Sequence, residues 1–316
     1  MSAGNEPRER RGVGAPASEH AAGSGAAKPS GQMIDSHQHY WRYDPAEYAW
    51  IDGSMAVIRR DFLPTVAACE MRTKGVSAAV AVQARQTLDE TRWLLQLADE
   101  HKTIAAVVGW IDLQSDVDAQ LAPFASNTKL AGLRHIVQSE PDGFLLHPSF
   151  LDGIARLRQF GLTYDILVYA RQMRDAAAFA ARFPDQPFVL DHLGKPDVRG
   201  GEMARWRQDL EALAALPNVW CKLSGLVTEA DWTAWTADQL RPYLDAALNA
   251  FGPARVMMGS DWPVCLLAAA YADVVGLVED AVAEYSPHER EQILGGNAAR
   301  FYKVLPPDGG SYGAHR

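Results

Sequence analysis

Residues 33–40 read MIDSHQHY, an apolar start that runs into two histidines two positions apart. Seven further short apolar runs follow: 76–83 (VSAAVAVQ), 104–113 (IAAVVGWIDL), 130–137 (LAGLRHIV), 162–169 (LTYDILVY), 187–195 (PFVLDHLGK), 219–225 (VWCKLSG) and 255–263 (RVMMGSDWP). Their starts lie 25 to 43 residues apart, the size of one strand–helix unit. Most are near-continuous in Val, Ile, Leu and Ala, the pattern of parallel strands buried on both faces. The segments between them read as helices. Asp89 and Glu90 open one whose Trp93, Leu94 and Leu97 share a face. Pro148 opens another that stops at Gly161, and Asp61 and Pro64 begin a third that ends at Gly75. Eight such units without a break in composition predict an α/β fold, a single (β/α)8 TIM-type barrel over 33–304. An open doubly wound sheet would want a glycine-rich turn after its first strand, and none is present.

The flanks differ from this body. Residues 1–32 hold six Gly and three Pro, with no Leu, Ile, Phe, Tyr or Trp, so they are expected to form a disordered tail. Residues 305–316 are Gly-rich and are expected to be a flexible C-terminal tail. The 316-residue chain has a net charge of −9, and the first 32 residues contribute +1. An acidic body argues against a nucleic-acid partner. No apolar stretch is long enough to cross a bilayer, and the first tail has no apolar core of a secretory signal. Cys69, Cys221 and Cys265 form no CxxC pair and read as reduced thiols. The expectation is a cytoplasmic protein that uses neither membrane nor nucleic acid; a homo-oligomer is left open.

In a barrel of this kind reactive residues sit at the C-terminal ends of the strands. Titratable side chains gather there. His37 and His39 are two apart on the first strand, so both imidazoles face the same way. With His192 from the sixth run and Asp261 from the eighth, they form a candidate ligand set for one divalent metal. A metal lowers the pKa of water towards neutrality, and Asp261 stands where it could take the proton. Each residue also has a plainer reading: the HxH as a structural pair, His192 as a partner of Asp191, Asp261 as a helix cap. Arg134 ends the fourth strand and is a candidate for holding a carbonyl or a carboxylate, or else for an ion pair. His135 alternates to the opposite face. Gln83, Arg85, Tyr169 and Lys195 are candidate contacts to a polyhydroxylated ligand, and Trp41 and Trp262 are candidate stacking faces or packing residues. Lys222, in mid-strand, needs a buried partner.

From 33 to 304 the chain resembles the amidohydrolase superfamily. IDSHQHYW matches its first-strand HxH, GSDWP its last-strand Asp and GGNAARFY its C-terminal helix. VLDHLGKP, GLRHIVQ, LVYARQ, CKLSGL and MGSDWPV look like the branch of sugar-lactone and pyrone-type lactonases. The resemblance implies hydrolysis of a lactone, a small-molecule substrate, by attack of water on the ring carbonyl. It gives Asp261 the general-base role, with His192 and Arg134 also catalytic, and makes His37, His39, His192 and Asp261 the metal ligands. Many amidohydrolases carry another His on the fifth strand, and some a bridging Lys or Glu on the fourth. Here the fifth ends Leu167-Val168-Tyr169 and the fourth offers Arg134-His135. The expected centre is therefore one metal, zinc, with a metal-free route through the histidines and Arg134 as the alternative. A neutral sugar lactone is the expected substrate; an anionic pyrone dicarboxylate or muconolactone is the second reading.

Overall fold

A computed structural model describes residues 32–304. Both tails expected from composition lie outside the described residues, apart from Gln32. Eight parallel strands pair in sequence order: β1 (Met33–Gln38), β2 (Val76–Val82), β3 (Ile104–Gly109), β4 (Leu130–His135), β5 (Thr163–Ile166), β6 (Phe188–Leu190), β7 (Val219–Leu223) and β8 (Val256–Met258). Helices α1 (Pro64–Lys74), α2 (Leu88–Glu100), α3 (Val117–Leu121), α4 (Pro148–Leu157), α5 (Met173–Ala180) and α6 (Ala204–Ala214) follow β1 to β6 in turn. A short α7 (Leu226–Glu229) and a long α8 (Ala237–Phe251) follow β7, and α9 (Tyr271–Ala281), α10 (Pro287–Glu291) and α11 (Asn297–Phe301) follow β8. This is the single (β/α)8 barrel expected from the eight runs.

Local chemistry sets the helix ends. Pro64 and Pro148 occupy first-turn positions, where a missing N–H costs nothing. Thr87 caps α2 by accepting from the Glu90 N–H. Gly75 ends α1 in the left-handed region (φ 72°), which an L side chain would enter at a cost.

Two apolar layers hold the barrel. Outside the sheet, helices bury Leu94, Phe150, Phe179, Trp206 and Val275 against the outward faces of the strands. Inside, Ile34, Ala78, Val80, Val82, Ala106, Val108, Val189 and Met257 fill the lumen. Ala298, Phe301 and Tyr302 plug it at the N-terminal end of the strands. Asn297 fixes the plug by donating to the Pro253 and Val256 carbonyls at 2.7 and 2.6 Å.

The seam between the first and last strands positions the site. The Asp261 N–H donates to the His37 carbonyl at 2.9 Å, and the His39 N–H donates to the Trp262 carbonyl at 2.7 Å. Beneath them the buried Asp35 carboxylate accepts from the Ser260 and His37 N–H groups at 2.8 and 3.1 Å. The closing hydrogen bonds thus bring the GSDW segment against the HxH.

Candidate active site

A cavity of about 570 Å³ opens at the C-terminal ends of the strands. His39, Arg134, His192 and Asp261 line its floor, and Trp50, Arg85 and Lys195 line its walls. Three non-glycine residues of the floor and rim hold left-handed backbone: His192 (φ 53°), Lys195 (φ 49°) and Asp261 (φ 59°). Such strain persists only where surrounding contacts impose it, and it collects at functional sites. Gly225 supplies one such contact, because a Cβ there would stand 2.6 Å from the His192 ring.

The imidazoles are held by their outer nitrogens. His39 Nδ1 donates to the Val82 carbonyl at 2.8 Å, which turns Nε2 towards the cavity. His192 Nδ1 lies 2.8 Å from Ser224 Oγ. His37 Nδ1 lies 3.1 Å from Lys222 Nζ and 3.5 Å from Asp191 Oδ1. All three Nε2 atoms converge on Asp261 Oδ1, at 3.3 Å from His39 and 3.8 Å from both His37 and His192. Ligand atoms of His37, His192 and Asp261 fall within 4.8 Å of one another. A carboxylate oxygen facing imidazole lone pairs is repulsive unless a cation or proton lies among them. The donor set therefore fits a divalent metal, with neutral nitrogens and one hard oxygen.

Burial holds the His37 imidazole well below its usual range, helped by the Lys222 ammonium. Burial likewise lowers His192, to about 4. Both are therefore neutral at physiological pH, as metal ligation requires. Burial alone would raise the Asp261 carboxyl, but positive charge shared with the surrounding His192, His39 and His37 rings outweighs burial and holds the carboxyl below the usual carboxylate range.

Under this floor lies a paired charge layer. Lys222 Nζ bridges Asp165 at 2.6 Å and Asp191 at 3.0 Å, and Arg134 Nη1 reaches Asp191 at 3.0 Å and His37 Nε2 at 3.2 Å. All four charged side chains are essentially buried. Burial also raises the Asp165 carboxyl, against the pull of Lys222, whereas Lys222, His37 and Arg134 overcome burial at Asp191 and hold it ionised. The Tyr302 hydroxyl donates to Asp165 at 2.8 Å, linking the plug to this layer.

Not every residue expected near a ligand lines the cavity. His37, His39, His192 and Asp261 come together, with Arg134 beside them, and Arg85 and Lys195 line the walls. Gln83 is buried and donates to the Arg134 carbonyl at 3.1 Å, so it supports the floor instead of facing the cavity. Tyr169 lies beside Lys195, outside the lining, with the ammonium 5.3 Å over its ring. Trp41 and Trp262, read from sequence as stacking faces or packing residues, lie outside the cavity lining. Both are buried, and each meets Phe62 edge to face at centroid distances of 5.6 and 5.2 Å. The cavity's tryptophan is Trp50, from the β1–α1 connection. That segment lacks any strand or helix period, so its sequence offered no signal. Asp165 was readable: an acid in the middle of an apolar run requires a buried cation, and Lys222 is one.

The sequence profile described as amidohydrolase matches residues 34–304. The chain belongs to the amidohydrolase family. A curated L-fucono-1,5-lactonase of Burkholderia multivorans is 49% identical over 286 residues, covering 87% of this chain and 97% of that protein. A second L-fucono-1,5-lactonase, from Burkholderia ambifaria, is 37% identical over 87% of this chain and 97% of its own length. A crystal structure of an amidohydrolase from Burkholderia multivorans with bound zinc superposes with a TM-score of 0.84 at 48% identity, covering 86% of this chain and 99% of that one. Among the described residues no helix is long and apolar enough to cross a membrane.

Proposed function

We propose that this amidohydrolase opens a neutral sugar lactone, of the L-fucono-1,5-lactone kind, to the free hydroxy acid. The observation that carries the reading is the convergence of three imidazoles, those of His37, His39 and His192, on Asp261 at the floor of a cavity large enough for one sugar ring. Two lactonase relatives that cover most of the chain support the substrate class.

His37, His39, His192 and Asp261 would hold the metal, and we propose zinc on two supports: the nitrogen-and-oxygen donor set and the zinc-bound relative. When bound, a divalent ion supplies a Lewis acid that acidifies water and draws charge from a carbonyl oxygen. The chain's own residues do the rest. The Asp261 carboxylate takes the proton of the attacking water, since it is ionised and lies at the cavity floor. Arg134, already oriented by Asp191, stands on the same floor to stabilise negative charge on the carbonyl oxygen as the tetrahedral centre forms. Collapse breaks the bond to the ring oxygen, which leaves as the hydroxyl of the product and receives the proton that Asp261 took from water. The enclosed floor keeps bulk water from screening these charges. We also read the protein as cytoplasmic, on its free cysteines.

A panel of neutral aldonolactones, with released acid followed by a pH indicator, tests the reading. Turnover of an aldono-1,5-lactone is expected, together with bound zinc by elemental analysis and loss of turnover on strong chelation. A protein free of divalent metal whose turnover ignores chelation would contradict the metal assignment. Failure to open any neutral lactone would contradict the substrate class.

A further inference from the structure

The cavity walls carry two cations, and both are already engaged by the protein. Arg85, just beyond β2, pairs with Glu90 at 2.7 Å and with Glu47, and lies 5.1 Å over the Tyr48 ring. Lys195, after β6, lies 3.2 Å from Glu229 Oε1. On the floor Arg134 is held by Asp191. The three cations that line the cavity therefore each have a carboxylate from the chain itself.

The three carboxylates that pair with the wall cations are not alike. Glu90 is fully buried and accepts from the Ala84 and Arg85 N–H groups, so it builds the β2–α2 turn. Glu47 and Glu229 have no such duty. Among the described residues each has one ion-pair partner, the cavity cation. The Glu47 side chain is 55% exposed, and an exposed pair of this kind contributes little to stability. Its effect falls on whatever enters the cavity. A carboxylate beside each cation repels an incoming anion and occupies the donors that would bind it. The remaining N–H groups stay free for neutral hydroxyls.

We infer that Glu47 and Glu229 are specificity-determining residues, whose carboxylates beside Arg85 and Lys195 turn the cavity against lactones bearing ring carboxylates or sulfonates. This rests on the reading that the cavity binds a lactone. An anionic ring has to expel a tethered carboxylate from the cation or accept its repulsion; a neutral ring faces neither cost. Glu47 comes from the β1–α1 connection and Glu229 from the end of α7, so the two reach the cavity cations from different segments.

The test uses the metal-loaded wild type, E47Q, E229Q and the double variant. Measured are kcat/KM for L-fucono-1,5-lactone and for 2-pyrone-4,6-dicarboxylate, and inhibition by isophthalate, an unreactive ring dianion. The anionic-to-neutral ratio is expected to rise about tenfold in each single variant, and further in the double, as one repelling carboxylate after another is removed. Isophthalate should inhibit the variants more strongly, and more so at low ionic strength. Unchanged ratios and unchanged isophthalate inhibition, in variants whose circular dichroism and melting match wild type, would overturn the inference. A wild type that prefers the dianionic lactone would overturn it too. A wild type that opens neither lactone breaks the lactonase reading, and the isophthalate arm then still reports on the two glutamates.

Discussion

Two arcs of the same lumen are built on different principles. β2 and β3 contribute Ala78, Val80, Val82, Ala106 and Val108, small and apolar, with no charge among the inward residues. β4, β5 and β7 each place a buried ionisable side chain in the lumen or at its edge: Arg134, Asp165 and Lys222, with Asp191 following β6. One arc is held by packing and the other by pairing. Packing tolerates small losses, because each methyl contributes independently. A buried charge network does not, because removing one member leaves its partner unpaired in a medium that cannot solvate it.

The largest effect is expected from Lys222→Met. It leaves Asp165 and Asp191 without their ammonium, and is expected to cost about 3–5 kcal/mol in urea denaturation. The double variant with Asp165→Asn should recover part of that loss, with a coupling of about 0.5–3 kcal/mol. Additive losses would show that the charged arc is not a network.

A smaller effect is expected from pH. The folded pKa of His192, about 4, lies below its ordinary 6.5. The stability linked to its neutral form is therefore complete above pH 6.5 and is lost as pH falls from there towards about 4. Melting temperature should decline across that window, and His192→Gln should decline less steeply. Parallel curves would remove His192 from the account.

The smallest change belongs to the apolar lining. Ile34→Val, at a fully buried site, is expected to cost about 0.5–1.5 kcal/mol and to keep the wild-type pH profile of melting. A loss as large as that of Lys222→Met would erase the distinction between the arcs.

The eight strands were legible because burial on both faces leaves continuous apolar runs, and the helix stops at Gly75 and Gly161 because a left-handed residue needs glycine. The ends of the runs were less so. Asp191–Gly194 folds as a tight turn and not as strand, since His192 and Leu193 adopt positive φ that no propensity signals. His37, His39, His192 and Asp261 could be gathered from sequence because strand order fixes which ends meet. What strand order does not fix is which side of a strand end faces the cavity. Trp41 and Trp262 therefore turn out to pack against Phe62, while Trp50, from a connection without periodicity, lines the wall. Glu47 and Glu229 were invisible for the same reason: their meaning comes from Arg85 and Lys195, which are distant in the chain.

In the proposed mechanism Asp261 activates water at a floor of histidines, and Asp261→Asn removes that step alone. The substitution keeps size and burial but removes the charge that accepts the proton. With folding verified by melting and metal content by elemental analysis, kcat/KM for an aldono-1,5-lactone is expected to fall by about 10²–10⁴-fold. Turnover within a few-fold of wild type, in a folded and metal-loaded variant, would contradict the account.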